Sequence, residues 1–408
     1  MNNVLLLGNG FDLYYKLPTK YINFLNVVNY LLNNRTVDFD TIGKVFSDES
    51  LLKKDTFIAE CYAAHSHIFD NTLLDKDDIS KIINLTENNY WYTYLNKVFD
   101  KDVGWIDFEK EIAFVLECFE KVFEKSTVLT FTPKEKSTKY VIECFDFYMR
   151  KASSNHVAII GSYHVNTEYC IESPCGSGHN AINKEKVIEK LYSELSSLSK
   201  ALKLYLKCFV EKTYELLKTD EKCKRIGIFS YVQKAITFNY TNAYENLYFT
   251  NSTFHIHGNI SDEIVLGMNP NESDRLENID TTFLCFKKYF QRTLLESDQE
   301  YLRWIKEMDD NKNPYRLFVM GHSLDVTDGD IIEELFQKSS DIVILYHNFE
   351  AKKNHISNII NIFGKEGFDM LRRNKMLRFI SLDSDLTSLK EDLEKESQED
   401  LLAAIMEK

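Results

Sequence analysis

Residues 3–12 read Asn-Val-Leu-Leu-Leu-Gly-Asn-Gly-Phe-Asp, an apolar run that leads directly into a glycine-containing turn. The run from Val4 to Leu7 shows no alternation of polar and apolar residues, which is typical of a strand covered on both faces of a sheet. The next 200 residues or so read mainly as helix. The segment therefore predicts a strand at residues 3–7 whose partner strands lie far away in the sequence.

Candidate partners appear after residue 230, where short β-rich runs recur and helical segments separate some of them. The runs lie at residues 235–238, 253–256, 263–266, 316–320, 341–346 and 377–380, with helices at 330–337 and 353–363. Alternation of strands and helices is typical of a parallel, doubly wound sheet. We therefore predict an α/β fold in which strand 3–7 joins the late strands in one parallel sheet.

This arrangement predicts a discontinuous domain organisation. The core would comprise residues 1–20 and 230–385, with a large helical insertion or cap at 21–229 and a C-terminal helix at 386–408. Helical spacing of apolar residues is clear at 105–124 and 183–219. The second segment carries a heptad-like stripe: Leu191, Leu195, Leu198, Leu202, Tyr205 and Phe209. We interpret it as a core-facing helix, and a dimerising coiled coil, hence a homo-oligomer, is the alternative.

Bulk composition limits the classes of partner. The 408 residues carry a formal net charge of −14, so a nucleic-acid partner is not expected, because phosphate backbones are themselves densely negative. Apolar runs are too short for a membrane span, so no membrane partner is expected. The eight cysteines are scattered without a Cys-x-x-Cys pair, which favours a reducing compartment and hence the cytoplasm.

Polar motifs follow four of the predicted strands. They are Gly8-Asn9-Gly10-Phe11-Asp12, Thr237-Phe238-Asn239-Tyr240-Thr241, His255-Ile256-His257-Gly258 and Gly321-His322-Ser323-Leu324-Asp325. The carboxyl ends of parallel strands meet at one edge of a sheet, where open α/β folds bind their ligands. We therefore predict one nucleotide-binding pocket there. Because glycine lets the backbone approach a phosphate, Gly10→Val is expected to abolish binding and to leave the fold intact.

Each of these residues also has a structural interpretation. Asn239 could cap a loop, and Asp328 is interpreted as the N-cap of the following helix. Strand alternation places His255 and His257 on one face, where the pair could be metal ligands. No carboxylate or cysteine stands at ligand spacing beside them, so no metal is predicted.

Two further clusters lie in the helical region. Asp107 and Glu109 are two residues apart and do not share a helix face, so a carboxylate pair acting on one substrate is disfavoured. A cap and a first-turn charge at a helix N-terminus are predicted instead. Zinc is conceivable at a second cluster, although its spacing matches no established zinc finger: His164, Cys170, Cys175 and His179.

Six short motifs, taken in order, carry a family resemblance. They are Gly8-Asn9-Gly10-Phe11-Asp12-Leu13, Leu17-Pro18-Thr19-x-Tyr21, Trp105-x-Asp107-Phe108-Glu109, Phe238-Asn239-Tyr240-Thr241, His255-Ile256-His257-Gly258 and Gly321-His322-Ser323-Leu324. Together they resemble the AbiH family of bacterial phage-defence (abortive infection) proteins. The resemblance spans most of the chain and implies an anti-phage function with a phage-derived trigger.

The same motifs also resemble a diverged sirtuin-type core, in which a strand-end Asn and a later His-Gly act on NAD. This resemblance implies a Rossmann-like, sirtuin-like sheet and hydrolysis of NAD, as substrate, at the nicotinamide–ribose bond. The implied catalytic residues are Asn239, which would position the water or the ribose, and His257, the general base. The implied nucleotide-binding residues are Gly8, Asn9, Gly10, Phe11, Asp12, Thr241, Gly321, Ser323 and Asp330.

Two other functions stay open at this point. A non-catalytic nucleotide-binding sensor is the first alternative, because Thr241 stands where the wider sirtuin group commonly has an aspartate. A metal-dependent nuclease is the second. The acidic net charge and the lack of a compact carboxylate cluster in the sequence disfavour it.

Overall fold

The computed structural model describes residues 2–99, 107–124, 136–147, 157–160, 163–172, 179–250, 252–268, 281–311, 314–383 and 386–406. Its strands are β1 (Asn2–Leu7), β2 (Val157–Ile160), β3 (Tyr163–Asn166), β4 (Cys170–Glu172), β5 (His179–Ile182), β6 (Lys234–Thr237), β7 (Thr253–His255), β8 (Tyr315–Met320), β9 (Ser339–Tyr346) and β10 (Leu377–Ser381).

The helices of the first half are α1 (Asn9–Tyr14), α2 (Tyr21–Asn33), α3 (Ile42–Phe46), α4 (Glu49–Lys54), α5 (Thr56–Phe69), α6 (Lys76–Thr86), α7 (Tyr90–Phe99), α8 (Phe108–Glu124), α9 (Lys136–Cys144) and α10 (Lys184–Tyr205). A π-helical segment, Leu206–Glu211, joins α10 to the next helix. The remaining helices are α11 (Lys212–Leu217), α12 (Ala243–Tyr248), α13 (Lys288–Leu295), α14 (Gln299–Asn311), α15 (Gly329–Lys338), α16 (Phe349–Arg373) and α17 (Thr387–Met406).

A parallel sheet of six strands forms the centre of the described chain, in the order β10-β9-β8-β1-β6-β7. Strand β1 lies inside this sheet, with Leu7 paired to Thr237 of β6 on one side and to Met320 of β8 on the other. The prediction that strand 3–7 joins the late strands is therefore confirmed. The register also brings the turns after β1, β6 and β8 to the same edge.

Both faces of the sheet are covered by helices, which explains the apolar run without alternation. Leu5 and Leu7 of β1 belong to a hydrophobic cluster that continues into the helices between residues 21 and 217. Val4 and Leu6 face the other way and pack in a second cluster with α14, α15 and α16. The boundaries of the core and insertion stay a prediction, since the first cluster is continuous across them.

One predicted strand is wrong. Residues 263–266 form no strand, and their backbone groups bond to a loop and a side chain instead. The N–H of Val265 donates to the carbonyl of His257. The N–H of Leu266 donates to Oε1 of Gln291 in α13, and Nε2 of Gln291 donates back to the Leu266 carbonyl. A buried loop whose backbone groups bond to an amide side chain has the same apolar sequence pattern as a strand, so the sequence does not distinguish the two.

The long helical prediction at 183–219 is confirmed by α10, the π-helical segment and α11. Residues of its stripe, such as Leu191, Leu198 and Leu202, are buried in the core. The indole N–H of Trp91 in α7 donates to the Leu191 carbonyl at 2.8 Å. The stripe is therefore core-facing, as interpreted. Of the helices in the described ranges, none combines the length and the apolar character needed to span a bilayer.

Candidate functional site

A cavity of about 480 Å³ opens at the carboxyl edge of the sheet, beside the turns that follow β1, β6 and β8. This size falls in the range of about 300–1,000 Å³ typical of small-molecule sites. The helical region contributes to its wall through Tyr21 of α2, Glu109 of α8 and Leu202 of α10. Most residues predicted for the site line it: Gly8, Asn9, Gly10, Asp12, Asn239, Thr241, His257, Gly321 and Ser323.

The glycines of the two turns pack backbone against backbone. The N–H of Gly10 donates to the Gly321 carbonyl at 2.8 Å, and the N–H of Gly8 donates to the Met320 carbonyl at 3.2 Å. A Cβ on Gly10 would lie 2.6 Å from the Cα of Gly321. The expectation that Gly10→Val leaves the fold intact is therefore wrong, because a side chain there would push apart the turns that form the cavity.

Asp12 is the centre of a buried cluster of hydrogen-bonded side chains. Its Oδ1 accepts a hydrogen bond from Nδ2 of Asn239 at 3.2 Å, and its Oδ2 accepts one from the hydroxyl of Thr241 at 2.7 Å. The same Nδ2 of Asn239 also donates to the Gly8 carbonyl at 3.1 Å. These bonds fix the orientation of the Asn239 amide, and its Oδ1 accepts no hydrogen bond from the described residues.

The Asp12 carboxyl is unusually basic for an aspartate. Burial raises its pKa from 3.8 to about 7, although the hydrogen bonds from Thr241 and Asn239 lower it. Near neutral pH the group therefore changes between a carboxylic acid and a carboxylate with small changes in its surroundings. A cationic ligand in the cavity would favour the carboxylate.

His257 reaches the cavity from the turn after β7. Its Nε2 is buried, has no hydrogen-bond partner among the described residues, and lies 3.7 Å from Oδ1 of Asp328. Burial lowers the pKa of His257 well below its ordinary value, and the charge of Lys288 lowers it further. The imidazole is therefore neutral at neutral pH, and its unpartnered nitrogen is a group that a ligand would satisfy.

Asp328 joins His257 to a second histidine and to a buried lysine. Its Oδ1 lies 3.2 Å from Nζ of Lys288, and its Oδ2 lies 3.6 Å from Nε2 of His322. Nδ1 of His322 accepts the N–H of Leu324 at 2.9 Å, so a neutral His322 ring carries its hydrogen on Nε2, towards Asp328. Burial raises the pKa of Asp328, but the charge of Lys288 and the bond from His322 outweigh burial and hold it below its usual range.

Lys288 stands between two carboxylates. Its Nζ lies 2.6 Å from Oε2 of Glu109 and 3.2 Å from Oδ1 of Asp328, and its side chain is almost fully buried. Burial lowers the pKa of Lys288, but the two carboxylates raise it by more, so the ammonium stays charged. Burial raises the pKa of Glu109 from 4.5 to about 7, against the lowering charge of Lys288.

Aromatic rings complete the cavity. Phe238, at the end of β6, contacts both imidazoles, with ring centroids 5.1 Å from His257 and 4.4 Å from His322. Tyr21 stacks on Phe108 at 4.0 Å. Apolar rings beside polar nitrogens and carboxylates are typical of sites that hold a flat ligand ring and exclude water.

Two of the predicted binding residues do not line the cavity. Phe11 is buried in the core, 5.1 Å from the ring of Tyr15, because it lies on the inner face of α1. Asp330 lies in the first turn of α15, is 60% exposed, and pairs with Nη2 of Arg292 at 2.9 Å. Sequence proximity to Gly321 does not place Asp330 in the site, because α15 begins at Gly329 and turns it outward.

The two histidines of the third motif have different surroundings. His255 ends β7, and its Nε2 lies 2.5 Å from Oε1 of Glu245 while its Nδ1 lies 3.1 Å from the Asn239 carbonyl. His257 lies beyond the strand, where alternation no longer applies, and it faces the cavity. The expectation that the pair shares one face is therefore wrong. Among the described residues, no group of three or more His, Cys, Asp or Glu is arranged to hold a metal ion.

Several residues were given structural interpretations from the sequence. Asp328 was interpreted as an N-cap, but it accepts no capping bond, and the neighbouring Asp325 caps the turn by accepting the N–H of Thr327. The prediction of a first-turn charge is confirmed for Glu109, which lies in the first turn of α8 and in addition lines the cavity. The cap prediction is confirmed for Asp107, whose Oδ1 accepts the N–H of Glu109 at 3.0 Å. Cys175, from the conceivable zinc cluster, lies outside the described residues.

Nothing in the sequence indicates that Lys288 is a buried site residue, since a lysine at the start of a helix is usually exposed. Glu109 and His322 had a signal, because both belong to quoted motifs. Their chemistry becomes visible only when α8, α13 and the turn after β8 meet at the cavity.

A family model matches most of the chain. The model, described as "Bacteriophage abortive infection AbiH", matches residues 4–347, from β1 to the loop after β9. All of the cavity residues named above lie inside this range. Searches of the curated proteins and of the solved structures find no match.

Proposed function

Because the chain belongs to the AbiH family of bacteriophage abortive-infection proteins, we propose that it acts in phage defence by hydrolysing NAD at the nicotinamide–ribose bond in this cavity. The observation that supports this proposal most is the buried Asp12–Asn239 pair at the carboxyl edge of the sheet. A neutral imidazole, His257, lines the same cavity. Loss of NAD would stop the metabolism on which phage replication depends.

The Asp12–Asn239 pair is suited to stabilise the positive charge that develops in this reaction. Breaking the bond between C1′ and the nicotinamide nitrogen builds positive charge on the ribose, which a nearby carboxylate stabilises. Asp12 supplies that carboxylate. Asn239 holds Asp12 with its Nδ2 and offers its free Oδ1 to a ribose hydroxyl or to the attacking water. His257 offers its unpartnered Nε2 to the nicotinamide end of the ligand.

The rest of the cavity suits the remainder of a dinucleotide. Lys20 lines the wall and brings a positive charge for the pyrophosphate, while Ser323 is exposed at the rim. The hydroxyl of Thr19 donates to Oδ1 of Asn9 at 2.5 Å, which joins the loop before α2 to the glycine turn. The turns after β1, β6 and β8 border the cavity along the strand ends. A sirtuin-like binding mode, with the dinucleotide across these turns, is part of the proposal.

The test is direct. Purified protein is incubated with NAD, and nicotinamide release is followed by chromatography, with and without lysate from phage-infected cells. Release by the wild-type protein and none by Asn239→Ala is the expected result. The absence of nicotinamide in both conditions, together with unchanged NAD in infected cells that carry the protein, would contradict the proposal.

A non-catalytic nucleotide sensor is the second candidate. The observation in its favour is Glu109, which brings the helical region into the cavity, so that a bound ligand would touch both α8 and the sheet. Calorimetric binding of NAD or ADP-ribose without any cleavage would support the sensor and exclude the hydrolase.

A further inference from the structure

We propose that Glu109 is the acid–base residue of this cavity and takes the proton of the attacking water. The inference rests on the function proposed above and goes beyond it, because a residue from the helical region would then take part in the reaction. The cavity contains Asp12, His257 and Asp328 as other candidates. Their contacts decide between them.

The position of Glu109 suits this role. It lies in the first turn of α8 and lines the cavity, and its side chain keeps 17% exposure. Lys288 holds one oxygen, Oε2, at 2.6 Å. The other oxygen, Oε1, accepts no hydrogen bond from the described residues. One anchored oxygen and one free oxygen are what an oriented proton acceptor requires.

The surrounding charges leave Glu109 able to gain and lose a proton. Two carboxylates, Glu109 and Asp328, share the single ammonium of Lys288. Asp328 also has His322 beside it, which stabilises its ionised form. Glu109 is therefore the carboxylate of the two that binds a proton more readily, and burial raises its pKa to about 7.

The groups that face Glu109 come from several elements. Lys288 of α13 lowers its pKa, whereas Asp328, before α15, and Asp107, before α8, raise it. Tyr21 of α2 and Tyr240 after β6 lie close enough for the charge of Glu109 to raise the pKa of both hydroxyls. The protonation of Glu109 near pH 7 therefore depends on these neighbours, and Asp12, in the same cavity, titrates in the same range.

The other candidates are less suited. Both oxygens of Asp12 already accept hydrogen bonds, from Asn239 and Thr241, so neither is free for a water proton. The imidazole of His257 is a weak base, because burial lowers its pKa. Asp328 is fixed by Lys288 and His322 and is the weakest base of the three carboxylates.

The step balances in atoms and charge. The oxygen of water forms a bond to C1′ of the ribose while the bond between C1′ and the nicotinamide nitrogen breaks. The electron pair of that bond leaves with nicotinamide, which departs neutral because the ring nitrogen was positively charged. The proton of the water moves to Oε1 of Glu109 and then to solvent.

The test compares two carboxylate-to-amide substitutions on the same helix, α8. Glu109→Gln keeps size and polarity and should lower kcat by about a hundredfold to ten-thousandfold. Glu117→Gln is the matched control: its side chain is 56% exposed and Glu117 does not line the cavity, so activity should stay near the wild-type level. Thermal melts confirm that both variants are folded.

The pH profile separates chemistry from structure. Glu109 and Asp12 both have a pKa of about 7 and both act when ionised, so wild-type kcat should rise with pH below about 7 with the slope of two protons and then level off. Glu109→Gln should keep only the one-proton rise that belongs to Asp12, and Glu109→Asp, which restores a carboxylate, should regain the two-proton slope at a reduced rate. If Glu109→Gln keeps the wild-type kcat, or keeps the two-proton slope, the inference is wrong. If the wild-type protein itself releases no nicotinamide under any condition, the proposed hydrolase function fails, and the inference fails with it.

Discussion

The side-chain amide of Asn239 donates a 3.2 Å hydrogen bond to Oδ1 of Asp12, which lies 227 residues earlier in the chain. The bond joins α1, which directly follows β1, to the loop after β6, and strands β1 and β6 pair in register. The polar centre of the cavity therefore depends directly on the pairing of the central strands, and disturbance of the sheet near Leu7 should disturb the site.

Asn239 and His257 should both be required for phage protection. Asn239→Ala removes the amide that donates to Asp12, and His257→Ala removes a buried nitrogen that has no hydrogen-bond partner among the described residues. Each should lower nicotinamide release by at least about a hundredfold, and the double variant should be little worse, because both act in one step.

The controls for this prediction are Asn246→Ala, whose amide donates to the carbonyl of Asn242 at the start of α12, and His347→Ala at an exposed position. Both should keep protection. If His257→Ala loses activity only in proportion to folded protein, as judged from thermal melts, then His257 is structural.

Gly321→Ala should prevent stable folding. Gly321 has φ +69°, and a Cβ there would lie 2.2 Å from the backbone nitrogen of Phe11. Gly364 has nearly the same φ, +68°, but no described atom lies within 4 Å of the corresponding Cβ, so Gly364→Ala should cost only the backbone strain, about 1–3 kcal/mol. Soluble yield and denaturant unfolding of the two variants test this, and equal losses would show that the close contact is unimportant.

Lys288→Met should destabilise the protein strongly. It leaves the buried carboxylates of Glu109 and Asp328 without their shared ammonium, and removal of one partner from a buried ion pair typically costs about 3–5 kcal/mol. Lys53→Met is the matched control, because Lys53 and Glu49 form a pair whose side chains are 77% and 85% exposed. Its effect should stay within about 1 kcal/mol. Urea unfolding at pH 7.5 measures both, and similar midpoints would contradict the prediction.

Asp12 should make the protein less stable as the pH rises from about 4 to about 7. The pKa of its carboxyl is about 7 in the folded protein against 3.8 ordinarily, so the folded state binds more protons in this window and loses that advantage as the pH rises. At about 1.4 kcal/mol per pH unit, the contribution is on the order of 4 kcal/mol.

Asp12→Asn should remove this part of the pH dependence of the unfolding free energy, whereas Asp262→Asn, at an exposed position, should not change it. Unfolding free energies at several pH values give the comparison. An unchanged slope in Asp12→Asn would show that the carboxyl is ionised throughout.

The sheet was predictable because its central strands, β1, β8 and β9, contain apolar runs that are buried on both faces. The site motifs were predictable because they follow predicted strands. The site residues that could not be predicted reach the cavity from parts of the chain that are distant in sequence. The role of Glu109 was predicted from its spacing to Asp107 along one helix, although its ion-pair partner, Lys288, lies in α13. Asp328 precedes a helix and so resembles a cap, although two imidazoles and an ammonium surround it. Local spacing does not record such contacts.

The central position of β1 also affects how the protein is made. Asn3 bonds to Gln233, 230 residues later, and β8 follows later still. At about 5–20 residues per second, a ribosome leaves β1 without neighbours for roughly 10–50 seconds, during which its apolar residues depend on chaperones or on the nascent helices for cover. A chain whose translation stops before β8 lacks the turn that closes the cavity. Truncated products of interrupted synthesis should therefore lack the complete cavity and be inactive.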